Sequence, residues 1–599
     1  MKSKKEYKRS TSNINNNIKS DIFQTYSVAI LAVFTFLLYI QVINFDFSGF
    51  DDRVIIQENN ELLSSVSNIG EVFLNDAFFQ GGKQQFFRPL QNLTFMFDTI
   101  IAGGNTWMYH ITNLIFHILA VIALYYLLLE LGFSSKISLI SSLLFASSPL
   151  FNHAVVWVPG RGDIMLGIFS MLFLFFLSKY LKTDNIKFLI FNFISFIFAL
   201  LSKESALFLP LMALLFVIIM HSEKFQVNKA ILPGLVYTIL VILYFFLRNS
   251  VIISEPKTGQ FGLEILISNF RVLPEILAKF VVPYSLAPLP NYSTIYLGIG
   301  IVLIIGIFYL ITRLKEDKIF SLYGLFWFLL FSIPGMLYRH EFGNFAYDYL
   351  DHRAYLPIIG LLIILNILYK NFVKADKKIV SVLIGIIAIF SVVTIQNSRN
   401  YKNDLVMYEK CISANPETTA LAYLNRGLIK ARSGNIKSGI TDFNKAIEIF
   451  PDYPDAYNNR ALANSQIGEK TGIMADYNKS IELNPEKSTF YFNRAVFKSA
   501  EGDKEGAMID YLKANEISPK DFKILRNIIY EFTQKQDYEN ALKYSTMAIE
   551  NLPKIGEAYQ SRGIAKIRLN DTTGACQDWK KAVELGQLKA NDLIRKFCK

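Results

Sequence analysis

Cysteine is scarce in this sequence, with three residues in 599 and none of them in a CxxC pair. That number is too small for a fold stapled by disulfides. A small-x-small cleavage site is absent after the apolar run 26–43, which follows the basic stretch MKSKKEYKRS. The run is also longer than the apolar core of a signal peptide, so we predict an uncleaved first transmembrane helix.

Polar residues are few between positions 26 and about 393, where runs rich in Phe, Ile and Leu alternate with short charged segments. Beyond that point the sequence has an ordinary polar composition. The overall apolar content of 52% and the mean hydropathy of +0.30 are averages over these two parts. The distribution excludes a soluble enzyme and a disordered chain. It predicts an all-α polytopic membrane domain joined to a soluble domain.

Eleven apolar runs are candidates for membrane spans, since a spanning helix needs about 20 mostly apolar residues. The third and the fifth run are short. The candidates are 26–43, 109–130, 137–152, 162–181, 187–202, 205–220, 230–247, 294–312, 319–338, 355–370 and 378–395.

Lysine and arginine are concentrated in alternate connections between these runs, and such connections face the cytoplasm. The N-terminal tail 1–25 belongs to this basic set, and the opposite set contains the outer loops 44–108, 248–293 and 339–354. With eleven spans, the C-terminal half then lies outside. The net charge of +11 is therefore largely a feature of topology, and we expect no nucleic-acid partner.

The C-terminal half repeats with a step of 34 residues. Asn-Arg pairs begin at Asn425, Asn459 and Asn493, and other columns keep the same step: Tyr423, Tyr457, Tyr491 and Tyr559; Gly434, Gly468 and Gly502; Pro451, Pro485, Pro519 and Pro553. This pattern resembles the tetratricopeptide (TPR) repeat. We predict a linker or first helix over 397–419, then five helix pairs over about 420–587 and a capping helix over 588–597, all within a solenoid domain 420–599.

Two cysteines lie in the last predicted unit and the cap. Cys576 and Cys598 either form a disulfide that ties the cap to that unit, which an oxidising compartment would permit, or remain two buried thiols.

Charged residues gather on the outer side of the membrane domain, where each is costly unless it is functional or paired. Cations stabilise a phosphate leaving group, and a positioned carboxylate activates a hydroxyl. The clusters therefore favour sugar transfer from a lipid-linked phosphosugar. Each also has a structural explanation, such as a turn, a helix cap or a Lys203–Glu204 ion pair. The clustered residues are Asp51 and Asp52; Arg88; His153, Arg161 and Asp163; Lys203 and Glu204; and His352, Arg353 and Tyr355.

The order of these motifs resembles the transmembrane and TPR-containing protein O-mannosyltransferases (TMTC). The resemblance rests on an acidic pair after the first span, FRPLQNLTF, HITNLIFH, HAVVWVPGRGD, SKES, DHRAYLP and the TPR repeats, in that order. It implies an inverting glycosyltransferase of the GT-C superfamily that uses a polyprenyl-phosphate sugar, with no cofactor and no metal.

The resemblance also implies roles for the clustered residues. Asp51 would be the general base with Asp52 in support, although the two roles can be exchanged. Arg88, Arg161, Lys203 and Arg353 would bind the donor phosphate. The supporting residues would be His153, Asp163, Glu204, His352 and Tyr355.

The sequence thus predicts transfer of a hexose, for which mannose is a candidate, to Ser or Thr of exported proteins, with the TPR array holding the acceptor polypeptide. The alternatives are an envelope glycan or lipid as acceptor, and a non-catalytic membrane scaffold. Frequent Lys, Ile and Asn suggest a bacterial inner membrane with a periplasmic TPR domain, although a protein of the endoplasmic reticulum would have the same topology.

Overall fold

The fold was analysed in a computed structural model, which divides the chain into two units, Met1–Thr418 and Thr419–Lys599. The residues it describes are 24–49, 51–81, 85–220, 227–253, 262–284, 286–337, 350–373 and 377–598. Within these ranges the regular structure is helical and contains no strand, which confirms the all-α prediction. Most of the basic N-terminal tail and most of the predicted outer loop 339–354 lie outside the described residues.

All eleven predicted apolar runs lie in helices of the first unit. The helices Ser135–Ser147 and Pro149–Val156 form a pair bent by 48°, and this pair is an eighth candidate span if it is counted as one. Three apolar helices are shorter: Ile186–Ser202, Glu204–Ile219 and Pro357–Val373. Among the residues that the structure describes, seven helices are long and apolar enough to cross a membrane: Gln24–Asn44, Thr106–Glu130, Val158–Thr183, Lys229–Val251, Thr294–Thr312, Lys318–Met336 and Lys377–Tyr401. The chain is a multi-pass membrane protein, and the number of eleven spans stays a prediction.

Small residues and buried amides join these helices, as is common where apolar packing alone gives little preference for helix contact over lipid. Gly324 lies against Gly360 of the helix Pro357–Leu368, and a Cβ at Gly324 would lie 2.7 Å from the Gly360 carbonyl oxygen. Asn192 donates to the Phe173 carbonyl oxygen at 2.7 Å and accepts from the Tyr237 hydroxyl at 2.6 Å.

The predicted outer loops contain helices that hydropathy does not indicate, because they are too short to span. Pro89–Ala102 lies in the first loop and begins with proline, whose fixed φ suits a first helical position. It ends at Gly103, which has a φ of +60°. Val272–Val281 lies in the second loop. The segment 397–419, predicted as a linker or first helix, contains the helix Asp404–Ala414, which belongs to the first unit.

The second unit contains five consecutive helix pairs and a terminal helix, as the 34-residue period predicts. In four pairs an arginine of the first helix forms a two-point ion pair with an aspartate sixteen positions later, at 2.6–2.9 Å. The fourth pair has Ile528 and Tyr544 at these positions, and both belong to an apolar cluster. The helices are Ala420–Arg432, Ile436–Ile449, Pro454–Gln466, Ile473–Leu483, Ser488–Ala500, Lys504–Ile517, Phe522–Gln534, Tyr538–Asn551, Gly556–Arg568, Thr572–Glu584 and Ala590–Phe597.

Cys576 and Cys598 form a disulfide with their Cα atoms 5.8 Å apart, so the first of the two predicted states is the one present. The bond closes a loop over a sequence separation of 22 residues. We expect Cys576→Ser to destabilise the TPR unit by about 3 kcal/mol, because the unfolded chain regains the freedom that the bond removes. Thermal unfolding of the full chain with and without reductant measures this effect. Reductant should lower the melting temperature of the wild type and leave that of the variant unchanged; no shift in the wild type would contradict the prediction.

Candidate active site

Seven of the eleven predicted site residues line one cavity of the membrane unit, which has a volume of about 650 Å³. A cavity of this size is typical of sites for small-molecule ligands. The residues come from five separate parts of the sequence, which the helices bring together. The seven are Asp51, Arg88, Asp163, Lys203, Glu204, His352 and Arg353.

The two acids of the first loop differ in their surroundings. Asp51 lines the cavity, and burial raises its pKa to about 6 while Arg88 and Arg353 act in the opposite direction. Asp52 is 1% exposed, does not line the cavity, and accepts from the backbone N–H and hydroxyl of Ser48, both at 3.1 Å. Burial raises the pKa of Asp52 well above its usual value. The geometry therefore presents the Asp51 carboxylate to a ligand and turns the Asp52 carboxyl group away.

Lys203 lies in the short turn between two apolar helices and is paired with Asp163. Its Nζ lies 2.6 Å from Asp163 Oδ2, and His352 Nε2 lies 3.8 Å from the same oxygen. Burial lowers the pKa of Lys203 to about 8, and the positive charges of Arg88 and Arg353 contribute in the same direction. These charges act on each other across the cavity, so an anion placed there would be attracted by all three cations.

Arg88 is paired with Glu204, and not with a residue of its own loop. Its Nε lies 3.2 Å from Glu204 Oε2, and the other carboxylate oxygen accepts from the Phe87 backbone N–H at 3.0 Å. The sequence-based alternative of a Lys203–Glu204 ion pair is therefore wrong, because each of these residues has a different partner. The two pairs link the first outer loop, the helix after Gly160 and the turn at Lys203.

His153 and Tyr355 lie outside the cavity lining. The Tyr355 hydroxyl is 2.7 Å from Nδ1 of His117, and its ring packs between Phe145 and Phe151. His153 packs against the cavity residue His352, with ring centroids 4.7 Å apart. Neither residue faces the cavity, and His153 reaches it through its contact with His352. Their supporting roles stay predictions.

Arg161, predicted as a phosphate ligand, does not line the cavity either. Its side chain is fully buried and pairs with Asp98 at 2.5 Å. Nε, Nη1 and Nη2 donate to the Asn113 side chain, the Thr94 hydroxyl and the Tyr109 carbonyl oxygen, respectively, at 2.6–3.0 Å. Every nitrogen of the guanidinium group is therefore used, and the position of Arg161 does not support a role in binding a ligand.

The cavity also includes Arg248, which the sequence interpretation does not identify. Arg248 lies in the last turn of the helix Val227–Val251, and its Nη2 donates to the Gln85 carbonyl oxygen at 2.9 Å. Basic residues are concentrated at the cytoplasmic ends of spans, so a cation at an outer end is unusual. This exception to the charge pattern is the sequence feature that could have identified Arg248 as a candidate site residue.

Asp51 and Lys203 both have perturbed pKa values. If transfer requires an ionised Asp51 and a protonated Lys203, its rate should depend on pH with a bell-shaped profile. Transfer should fall as the pH decreases below about 6, because Asp51 gains a proton. It should also fall as the pH rises above about 8, because Lys203 loses its charge. A pH profile of kcat/KM measures both limbs. Lys203→Arg should move the alkaline limb upward, and an unchanged limb in that variant would contradict the assignment.

Comparison with known proteins finds matches in the membrane unit and in the TPR unit. Residues 89–247 match the family described as dolichyl-phosphate-mannose-protein mannosyltransferase, and residues 420–453, 454–487 and 488–521 match the tetratricopeptide repeat. Protein O-mannosyl-transferase tmtc2 of Xenopus laevis is 34% identical over 152 residues, which are 24% of this chain and 18% of that relative. A protein O-mannosyl-transferase of Caenorhabditis elegans is 23% identical over 447 residues, which are 71% of this chain and 63% of that relative.

The predicted resemblance to the TMTC family is confirmed. The chain combines the mannosyltransferase-type membrane domain with TPR repeats, and the relatives above are named protein O-mannosyl-transferases. The aligned region covers less than two thirds of the length of these relatives. Among solved structures, that of MamA aligns with 29% of this chain and 94% of its own, with a TM-score of 0.26 and 18% identity.

Proposed function

We propose that this TMTC-type chain is a membrane glycosyltransferase that moves a hexose, for which mannose is the first candidate, from a polyprenyl phosphate to Ser or Thr hydroxyl groups of exported proteins. The observation that carries the proposal is the meeting of Asp51 with Arg88, Lys203 and Arg353 at one cavity. The names of the relatives support the class of reaction.

The cavity lining suits an amphiphilic donor. Charged side chains occupy part of the wall and would face a phosphate and a sugar. Apolar side chains occupy the rest and would face an isoprenoid chain. The apolar residues include Phe78, Leu166, Leu207, Phe208, Phe331 and Leu337. A free nucleotide sugar has no isoprenoid chain to contact these apolar side chains.

The residues present allow a single displacement. Asp51 would take the proton of the acceptor hydroxyl while its oxygen attacks the anomeric carbon. The bond from that carbon to the phosphate oxygen breaks, and the electron pair leaves with the lipid phosphate. Arg88, Lys203 and Arg353 would stabilise the charge that develops on this phosphate. Attack opposite the leaving group inverts the anomeric centre. The proposal includes no cofactor and no metal.

We further propose that the TPR unit holds the acceptor polypeptide and lies on the extracytoplasmic side, in a bacterial inner membrane. The Cys576–Cys598 disulfide supports an oxidising compartment for this unit. The TPR array favours a protein acceptor over an envelope glycan, because such arrays bind polypeptides.

A transfer assay tests the proposal. Purified full-length protein in lipid vesicles receives a radiolabelled polyprenyl-phosphate hexose and a periplasmic protein extract. After extraction of lipid, the label that alkaline β-elimination releases from Ser or Thr of the protein fraction is measured. We expect label from a mannosyl donor in the protein fraction. Label in the glycan or lipid fraction alone would reject the protein acceptor, and no transfer from any hexosyl donor would favour the scaffold.

A further inference from the structure

The loop before the proposed base is held by a helix about 355 positions away in the sequence. This helix, Asp404–Ala414, follows the last apolar span and precedes the TPR unit along the chain. It contains none of the residues that line the cavity. Its contacts nevertheless fall on the segment from Asp46 to Gly49, two residues before Asp51.

This helix contacts the Gly49 backbone through two side chains. The Tyr408 hydroxyl donates to the Gly49 carbonyl oxygen, and the Asp404 carboxylate lies close to the Gly49 backbone N–H. Just before the helix, the Lys402 carbonyl oxygen accepts from the Asp46 backbone N–H at 3.0 Å. A Cβ at position 49 would lie 2.7 Å from the Asp404 carboxylate, so a larger residue there would displace that side chain.

The helix itself is firmly anchored in the membrane unit. Met407, Tyr408 and Cys411 are buried, and the Asn403 side chain caps the helix by accepting from the Val406 backbone N–H at 3.0 Å. At the other end the Asn415 side chain donates to the Leu289 carbonyl oxygen at 3.3 Å. An anchored helix that contacts a loop through Asp404 and Tyr408, with Lys402 bound to the same loop just before it, restricts the position of that loop.

The other end of the loop is fixed by Asp52, whose carboxylate oxygen accepts twice from Ser48. Asp51 therefore lies within the segment that Ser48 and Asp52 close, next to the Gly49 backbone that Asp404 and Tyr408 contact. A carboxylate that acts as a base must be held within a fraction of an ångström of its substrate.

From these contacts we infer that Tyr408 and Asp404 are positioning residues for the Asp51 carboxylate, acting through the backbone of Gly49. The inference rests on the proposed function, because it assigns to this helix an effect on transfer. It differs from a purely structural role, in which loss of the contact would lower stability and leave the kinetic constants of the folded enzyme unchanged.

Tyr408→Phe tests the inference in the full-length protein in vesicles. The ring keeps its buried place, and the bond to Gly49 is lost. We expect kcat to fall roughly tenfold with the KM for polyprenyl-phosphate hexose unchanged, because the phosphate cations lie on other elements. Gly49→Ala, which forces a methyl group against Asp404, should give the same division between kcat and KM.

The pH profile gives a readout that a structural role would not move. Burial raises the pKa of Asp51, Arg88 and Arg353 act in the opposite direction, and the Asp51 charge contributes to the raised pKa of Asp52. The effects on Asp51 depend on where the loop holds its carboxylate, so the acidic limb should shift from its wild-type position in Tyr408→Phe.

Two controls make the result specific. Tyr125→Phe removes a hydroxyl that is 2.6 Å from the Ser135 hydroxyl, far from this loop in the sequence, and Glu409→Gln removes an exposed charge from the same helix. Both should keep the wild-type kcat and acidic limb. Wild-type kcat and acidic limb in Tyr408→Phe and Gly49→Ala would overturn the inference while leaving the proposed function intact. A wild type inactive with every donor would overturn the proposed function and this inference with it.

Discussion

Replacing Asp51 by Asn is expected to lower kcat for sugar transfer about 10²- to 10⁴-fold, the usual range for loss of a general base. Asn keeps the size of the side chain and can still accept a hydrogen bond, but it cannot take a proton at neutral pH. Of the two adjacent acids in the first loop, Asp51 is the one that lines the cavity, and Arg88 and Arg353 act on it. Binding of the donor should change little, since the phosphate cations remain.

Asp52→Asn is the matched comparison, because the two acids are adjacent. Burial raises the pKa of Asp52 well above its usual value, which favours the neutral form, and the Asn oxygen can accept from Ser48 as the carboxyl oxygen does. We therefore expect less than about a tenfold loss. Glu316→Gln, an exposed change after the eighth predicted span, should retain full activity. Loss in Asp52→Asn with activity kept in Asp51→Asn would exchange the two roles.

Arg161→Gln is expected to cost about 3–5 kcal/mol of stability, because it leaves the buried Asp98 carboxylate without its cation. Arg161 was predicted from sequence to bind the donor phosphate, and its observed partners leave no nitrogen for a ligand. The free energy of unfolding in detergent, or resistance to protease on warming, measures the effect.

The cavity residue Arg353 provides the contrast. Arg353→Gln should raise the KM for the donor and lower kcat, with a smaller loss of stability than Arg161→Gln, since Arg353 faces the cavity. Lys370→Gln removes an exposed ion pair with Asp317, which is worth little, and should change neither quantity. A stable Arg161→Gln protein with only a raised donor KM would restore Arg161 as a phosphate ligand.

The two halves of this molecule were predictable from sequence for different reasons. A spanning helix must satisfy its backbone internally and face lipid, so its composition alone indicates it, and all eleven predicted runs are helical. The TPR unit repeats its own contacts every 34 residues. In the fourth unit Ile528 takes the place of the paired arginine and Tyr544 that of its aspartate. Because both positions change together, the repeat itself indicates which residues pair.

The convergence of the outer clusters was predicted from their common side of the membrane, and seven of those residues do line one cavity. Which side chains face that cavity was not predictable. Arg161 and Asp163 are two positions apart in one motif, yet one is bonded within the protein and the other faces the cavity. Adjacent positions on a helix point about 100° apart, so a motif cannot assign direction without its packing partners.

The sequence by itself determined the class of the chain, its helical membrane domain, its repeats and the residues from which a site can be built. Only the tertiary structure decided that Arg88 pairs with Glu204 and Lys203 with Asp163. It also decided that Arg248 lines the cavity and that the Tyr408 hydroxyl donates to the Gly49 carbonyl oxygen. Hydropathy and periodicity are properties of local segments. A contact between residues hundreds of positions apart depends on how those segments pack, and neither pattern contains that information.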